Sequence, residues 1–263
     1  MERGAPCLDR HARLHDRRRR TAGSRGGQDP LKKLRKPLRF GPLGDAAAYA
    51  EFSETLDLEV NEALQVVAAA LRARQVPWIR DVVPALTGIA LHFDPEHAGL
   101  PAAPLAAAAE LLEQCLKSAE SADDSGRLVE IPVCYEPAFA LDIVEVAEKT
   151  GIAPEDIAQR HAASEHHVLM VGFAPGQPYI GGLDAALAVP RRGTPRTRLP
   201  AGSVAIANAQ TAVYPFEISG GWSVIGRTPL ELFDPARDPP SLFAPGDRVR
   251  FVPVTRAEFE RLR

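Results

Sequence analysis

The chain has 263 residues, of which 45% are hydrophobic and 25% charged, with a formal net charge of −3 at pH 7. This is the composition of an ordinary globular protein, long enough for one large or two modest cores. No apolar run approaches the roughly 18 residues a membrane span requires, and no stretch reads as a signal peptide.

The charge is unevenly distributed. Residues 1–36 hold 12 Lys/Arg against 4 Asp/Glu, and the other 227 residues hold 19 against 30. The basic stretch, with Arg17, Arg18, Arg19 and Arg20 and few apolar side chains, buries too little surface to offset its chain entropy, so residues 1–36 are expected to be a disordered extension. An anion-seeking arm is the functional alternative, but the acidic body argues against a nucleic-acid partner. Cys7, Cys115 and Cys134 are odd in number and widely spaced, as expected of reduced thiols in a cytoplasmic protein.

Order is expected from Pro37. Leu38 to Phe52 reads as strand, Gly-containing turn and strand. Asp57 then caps a helix whose Val60, Leu64, Val67 and Leu71 form one apolar stripe. Trp78 to Val83 and Ile89 to Phe93 read as two more strands. A second amphipathic helix, Pro104 to Ala119, sets Leu105, Leu112 and Leu116 on one face. Together these make a small α/β domain over residues 37–120.

Residues 121–127, with Ser121 to Gly126 mostly polar, read as a linker. Beyond it, Val129, Ile131, Val133 and Tyr135 alternate along a strand. Short helices follow at about Ala140 to Lys149, stopped by Gly151, and from Pro154. From Val168 to Val254 the chain shows only short β-prone runs between Gly and Pro, the pattern of a closed barrel or sandwich spanning residues 128–263. The fold class is therefore α+β.

The segment from Gly172 to Pro229 carries the chemistry. Arg191, Arg192, Arg196 and Arg198 fall within eight positions. They are either the dressing of a solvated edge strand or cations for a ligand or partner. The pairs Gly181-Gly182 and Gly220-Gly221 would allow close backbone approach. No GK[ST] follows any glycine run, so a Walker-type nucleotide site is excluded. His161, Glu165, His166 and His167 lack metal-site spacing and read as a polar helix end. No metal is expected. Cys134 reads as a small inert residue, and Tyr179 and Trp222 as core or pocket wall.

The motifs GFAPGQPYIGGLD, PRRGTPRTRLPAGSVAIANAQT, YPFEISGGWSVIGRTPLELFDP and PGDRVRFVP resemble, in order and spacing, those of the family that includes the B-type subunit of 5-oxoprolinase, the kinase inhibitor KipI and the first subunit of allophanate hydrolase. The likeness is of carboxyltransferase subdomain C/D type and extends weakly upstream to Arg39. It implies a cyclophilin-like β-barrel after the small N-terminal domain. It also implies a role within an ATP-dependent 5-oxoprolinase, inactive alone, with a second cyclophilin-like subunit (C-like) and an A-like hydrolase as partners. ATP, with magnesium as counter-ion, would belong to the assembled complex. A KipI-type inhibitor of a sensor histidine kinase, or allophanate chemistry, is the alternative. On this likeness the four arginines would meet polyphosphate or carboxylate, and Gln210 and Thr211 would read an amide. Gln177 stands where the resemblance leads one to expect an aromatic, so a ligand contact there would alter preference. Catalytic residues are not assigned.

Overall fold

The computed structural model describes residues 30–34, 36–118 and 126–263. Most of the basic extension and residues 121–125 of the expected linker lie outside them. Ordered structure begins before Pro37: Pro30–Lys33 is a turn of 3-10 helix, and Leu34 is buried. Leu31 and Leu34 share one side of this turn and pack on the first core, an apolar pair hidden by the charge around it.

That core lies under a four-stranded antiparallel sheet of β1 (Arg39–Pro42), β2 (Ala47–Glu51), β3 (Ile79–Pro84) and β4 (Gly88–Phe93), ordered β1-β2-β4-β3. Helix α1 (Leu58–Ala73) starts at Asp57, whose carboxylate accepts the N–H groups of Glu59 and Val60. Its buried stripe of Val60, Leu64, Val67 and Leu71 packs with Leu112 and Cys115 of α2 (Pro104–Ser118). Such apolar burial contributes about 1.5–3 kcal/mol for each large side chain. The Gln65 side chain donates 3.0 Å to the Leu169 carbonyl and ties α1 to the second half.

The second half is a seven-stranded sheet. Its members are β5 (Leu128–Val133), β6 (His166–Val171), β7 (Pro178–Gly181), β9 (Ser203–Ala207), β10 (Gln210–Val213), β12 (Ser223–Arg227) and β13 (Arg248–Pro253), in the order β12-β9-β10-β7-β6-β13-β5. The outermost strands meet: Cys134, just past β5, exchanges backbone hydrogen bonds of 2.9 and 3.0 Å with Arg227 of β12. The sheet thus curls into a barrel, as the run of short strands predicts. Its core includes Ile131, Val133, Ile180, Ile206, Val213 and Phe251.

Helices α3 (Ile143–Thr150) and α4 (Pro154–Ala163) add Ile143, Val146 and Ile157 to this core. Helix α3 starts three residues later than periodicity suggests: Asp142, at φ −124°, is its non-helical N-cap residue, and its N–H donates to the Val224 carbonyl. It ends at Gly151, whose left-handed φ of 71° suits glycine. Strand β6 starts two residues before Val168. The final element, α5 (Arg256–Leu262), is a helix beyond the last strand read from the sequence. A reciprocal capping box between Thr255 and Glu258 starts it, and Phe259 is buried.

Outside the barrel, β8 (Arg196–Leu199) and β11 (Ile218–Gly220) pair as a two-stranded ribbon. Leu199 and Ile218 of the ribbon pack with Tyr214, Trp222 and Val224 on the outer face of the sheet.

Candidate functional site

A cavity of about 240 Å³ lies where the ribbon meets the barrel, walled in part by Gln177, Tyr179, Arg191, Ser219, Gly220 and Trp222. It is smaller than the roughly 300 Å³ at which sites for drug-sized molecules begin. It therefore suits a small metabolite.

The turn from Gly172 to Gln177 builds one wall. The Gly172 N–H donates to the Gln177 carbonyl, and the Gln177 N–H to the Ala174 carbonyl, both at 3.0 Å. Phe173 sits at φ 71°, uncommon for a bulky side chain, and is 69% exposed on the cavity lining. Gln177 is 2% exposed, and its Oε1 has no hydrogen-bond partner among the described residues. Opposite chemistry comes from Arg191, whose guanidinium lies 5.7 Å from the Trp222 ring centre, a cation–π contact. Trp222 in turn stands edge-on to Tyr179.

Burial raises the Tyr179 phenol above its ordinary pKa, against the pull of Arg191, and pushes Tyr214 to about 12. Both hydroxyls stay protonated near neutrality and can serve as hydrogen-bond donors. Among the described residues no group of His, Cys, Asp and Glu could hold a metal ion.

Of the four grouped arginines, the structure places Arg191 in this wall and turns the other three elsewhere. Arg192 and Arg196 converge on Asp142, at 2.7 Å for Arg192 and at 2.8 and 2.6 Å for Arg196. Arg192 also bonds Glu145. Lys149 first and Arg192 second hold the Glu145 carboxyl below its usual range, and Glu145 raises Arg192 in return. Arg198 pairs with Glu217 at the exposed side of the ribbon. These three side chains fasten the ribbon and its approach to neighbouring elements.

Gln210 and Thr211, adjacent in β10, point to opposite faces. Thr211 turns inward, wholly buried, with its Oγ1 3.1 Å from His161 Nε2. It is therefore no part of the cavity wall. Gln210 lies on the outer face but is absent from the lining, and its Nε2 is buried without a hydrogen-bond partner among the described residues. Gly220 and Gly221 line the cavity, whereas Gly182 stands against the Glu165 carbonyl, where a Cβ would clash.

Sequence reasoning did not single out Asp142, the common partner of two arginines. Its signal is a lone acid within the apolar run from Ala138 to Val144. Phe173 and Ser219 also went unmarked, because nothing local shows that they border a cavity.

The family model for the carboxyltransferase domain, subdomain C and D, matches residues 38–243. The chain belongs to this family. Among its relatives, the B-type subunit of 5-oxoprolinase from Bacillus subtilis (strain 168) is 37% identical over 223 residues, covering 82% of this chain and 93% of that protein. The Escherichia coli O157:H7 protein of the same name is 37% identical over 212 residues, 80% and 94% of the two chains. Among solved structures, TTHA0988 superposes with a TM-score of 0.68 at 35% identity over 79% of this chain, which spans 40% of TTHA0988. The K. lactis urea amidolyase shares the fold of this subdomain pair, with a TM-score of 0.67 at 21% identity over 84% of this chain and 15% of its own. Among the described residues no helix is long and apolar enough to cross a membrane.

Proposed function

We propose that this chain is the B-type subunit of a 5-oxoprolinase complex that opens the lactam of 5-oxoproline to glutamate with ATP hydrolysis. The observation that carries the reading is the 37% identity to the Bacillus subtilis 5-oxoprolinase component along 93% of that protein's length. The cavity supports it. A small carboxylated ring needs one cation, an aromatic wall and a few polar groups, and Arg191, Trp222, Tyr179 and Gln177 supply them.

The sequence carries no GK[ST] glycine loop, and we assign the nucleotide and its magnesium to the assembled complex, with this chain inactive alone. Phe173, held exposed at the cavity, gives a partner subunit an apolar contact over the bound substrate. A second cyclophilin-like subunit and an A-like hydrolase are the partners we assign.

The test is reconstitution with those two subunits, followed by ATP hydrolysis with and without 5-oxoproline. Turnover requiring both this chain and 5-oxoproline, and lost on Arg191→Ala, supports the proposal. A stable complex without 5-oxoproline-dependent turnover refutes the substrate. Failure to form a complex refutes the subunit role and favours an inhibitor of a sensor histidine kinase.

A further inference from the structure

We propose that Tyr179, Tyr214 and Arg191 form a cradle of hydrogen-bond donors for one ligand carboxylate, so that the cavity selects a free carboxylic acid over its neutral amide. The inference deepens the reading of the cavity as the lactam site and rests on it. Tyr214 is 3% exposed, yet it lines the cavity, and its hydroxyl donates no hydrogen bond among the described residues. Its oxygen lies against Gly220, where a Cβ would stand 2.4 Å away, so a side chain at that position would displace the phenol. Arg191 has no carboxylate partner among the described residues and lies over Trp222, the ring that Tyr179 meets edge-on at 5.8 Å. Among the described residues the lining includes no Asp or Glu, and the Gln177 amide oxygen is buried.

Buried polar groups in native proteins are nearly always satisfied, so a phenol with an unused proton in a cavity wall calls for an acceptor from the ligand. Beyond burial, Tyr179 acts to raise the Tyr214 pKa, and the Arg191 charge acts to lower both phenols. That mutual influence is what three polar ends sharing one corner of the cavity produce. The Trp222 N–H also favours charge on the Tyr214 oxygen, which engages a lone pair there and leaves the O–H to donate into the cavity. Two phenols and a guanidinium together supply donors for both oxygens of a carboxylate, and the guanidinium adds the matching charge. A carboxamide of the same shape turns its own N–H groups toward these donors and brings no charge to Arg191. The cradle therefore rejects it as well as binding it less.

The experiment compares 5-oxoproline with 5-oxoprolinamide, in which a primary amide replaces the carboxylate, and with cyclopentanecarboxylate, which keeps the carboxylate and lacks the lactam. Each is titrated calorimetrically into the full chain, alone and assembled with its partner subunits. The wild type is expected to bind 5-oxoproline at least about ten-fold more tightly than its amide. Tyr214→Phe, which removes one oxygen atom, should weaken the acid about ten-fold and leave the amide within about three-fold. Tyr179→Phe should act in the same direction, and it serves if the first variant does not fold. Equal affinities for acid and amide in the wild type overturn the cradle and leave the cavity reading standing. So does an acid affinity unmoved by the phenylalanine variants, or a loss shared equally by acid and amide, which would make the phenols structural. Cyclopentanecarboxylate that binds and responds to the variants while 5-oxoproline does not bind refutes the lactam reading and supports the cradle. Binding of none of the three overturns both together.

Discussion

Replacing Asp142 by alanine should loosen the ribbon and lower stability by about 3 kcal/mol. Asp142 is 3% exposed, and its carboxylate takes hydrogen bonds from Arg192, from Arg196 twice, and from the Val224 N–H at 2.8 Å. Removing one side of a buried ion pair costs about 3–5 kcal/mol where the remaining charge stays desolvated. The arginine side chains here are 21% and 29% exposed and recover water, which reduces that part to about 1–2 kcal/mol. A stranded buried N–H at Val224 adds about 1–2 kcal/mol. For a chain of this size the sum corresponds to a fall in Tm of about 6–12 °C. Asp142→Asn keeps an acceptor for Val224 and should lose about half as much. The assay is urea unfolding followed by Trp222 fluorescence in a Trp78→Phe background, since Trp222 packs beside the ribbon. A double-mutant cycle with Arg196→Ala should return a coupling of about 1 kcal/mol. Asp142→Ala within about 0.5 kcal/mol of wild type would show that the arginines are held by other means.

Three further outcomes are expected. Burial pushes His161 and His166 below the ordinary value of 6.5; the unfolded chain takes up protons below that pH while the fold resists, so their stabilising contribution is full above pH 6.5 and drains away as pH falls further. The urea midpoint should drop between pH 7 and 5, less steeply in His161→Gln, and parallel curves would contradict this. Gly182→Ala should cost at least about 2 kcal/mol or prevent soluble expression, because φ is +86° and a Cβ would lie 3.0 Å from the Glu165 carbonyl carbon; an unchanged melting curve would refute the constraint. Burial also raises the Cys115 and Cys134 thiols, so iodoacetamide at pH 8 should label them only once urea unfolds the chain, with native labelling by mass spectrometry as the contrary result.

Much of this fold is legible in the sequence because its determinants are local. Asp57 followed by Val60, Leu64, Val67 and Leu71 is enough for α1, and alternation through Val129, Ile131 and Val133 is enough for β5. The capping box at Thr255 and Glu258 is equally local, but it lies beyond the last element read from the sequence. The site is less legible because its logic is long-range. Arg192 and Arg196 are neutralised by Asp142, 50 and 54 residues away, and no spacing rule encodes that. The division between Gln210 and Thr211 follows from period-two alternation once both are placed in one strand. Gln177 and Arg191 meet in one wall because β7 and the approach to the ribbon converge in space.

The parallel pairing of β13 with β5 matches Arg248 to Leu128 and Pro253 to Val133, a separation of 120 residues. A growing chain therefore completes the two halves at different times. The first sheet has all its strands by Phe93 and its covering helix by Ser118, so it can fold while the rest is still being synthesised. The barrel cannot close until residues through Pro253 have left the ribosome, and until then β5 presents an unsatisfied edge. Non-local pairing of this kind makes closure the slow step. A nascent-chain series should show protease resistance arising first in residues 36–118 and much later, in a single step, across residues 126–263.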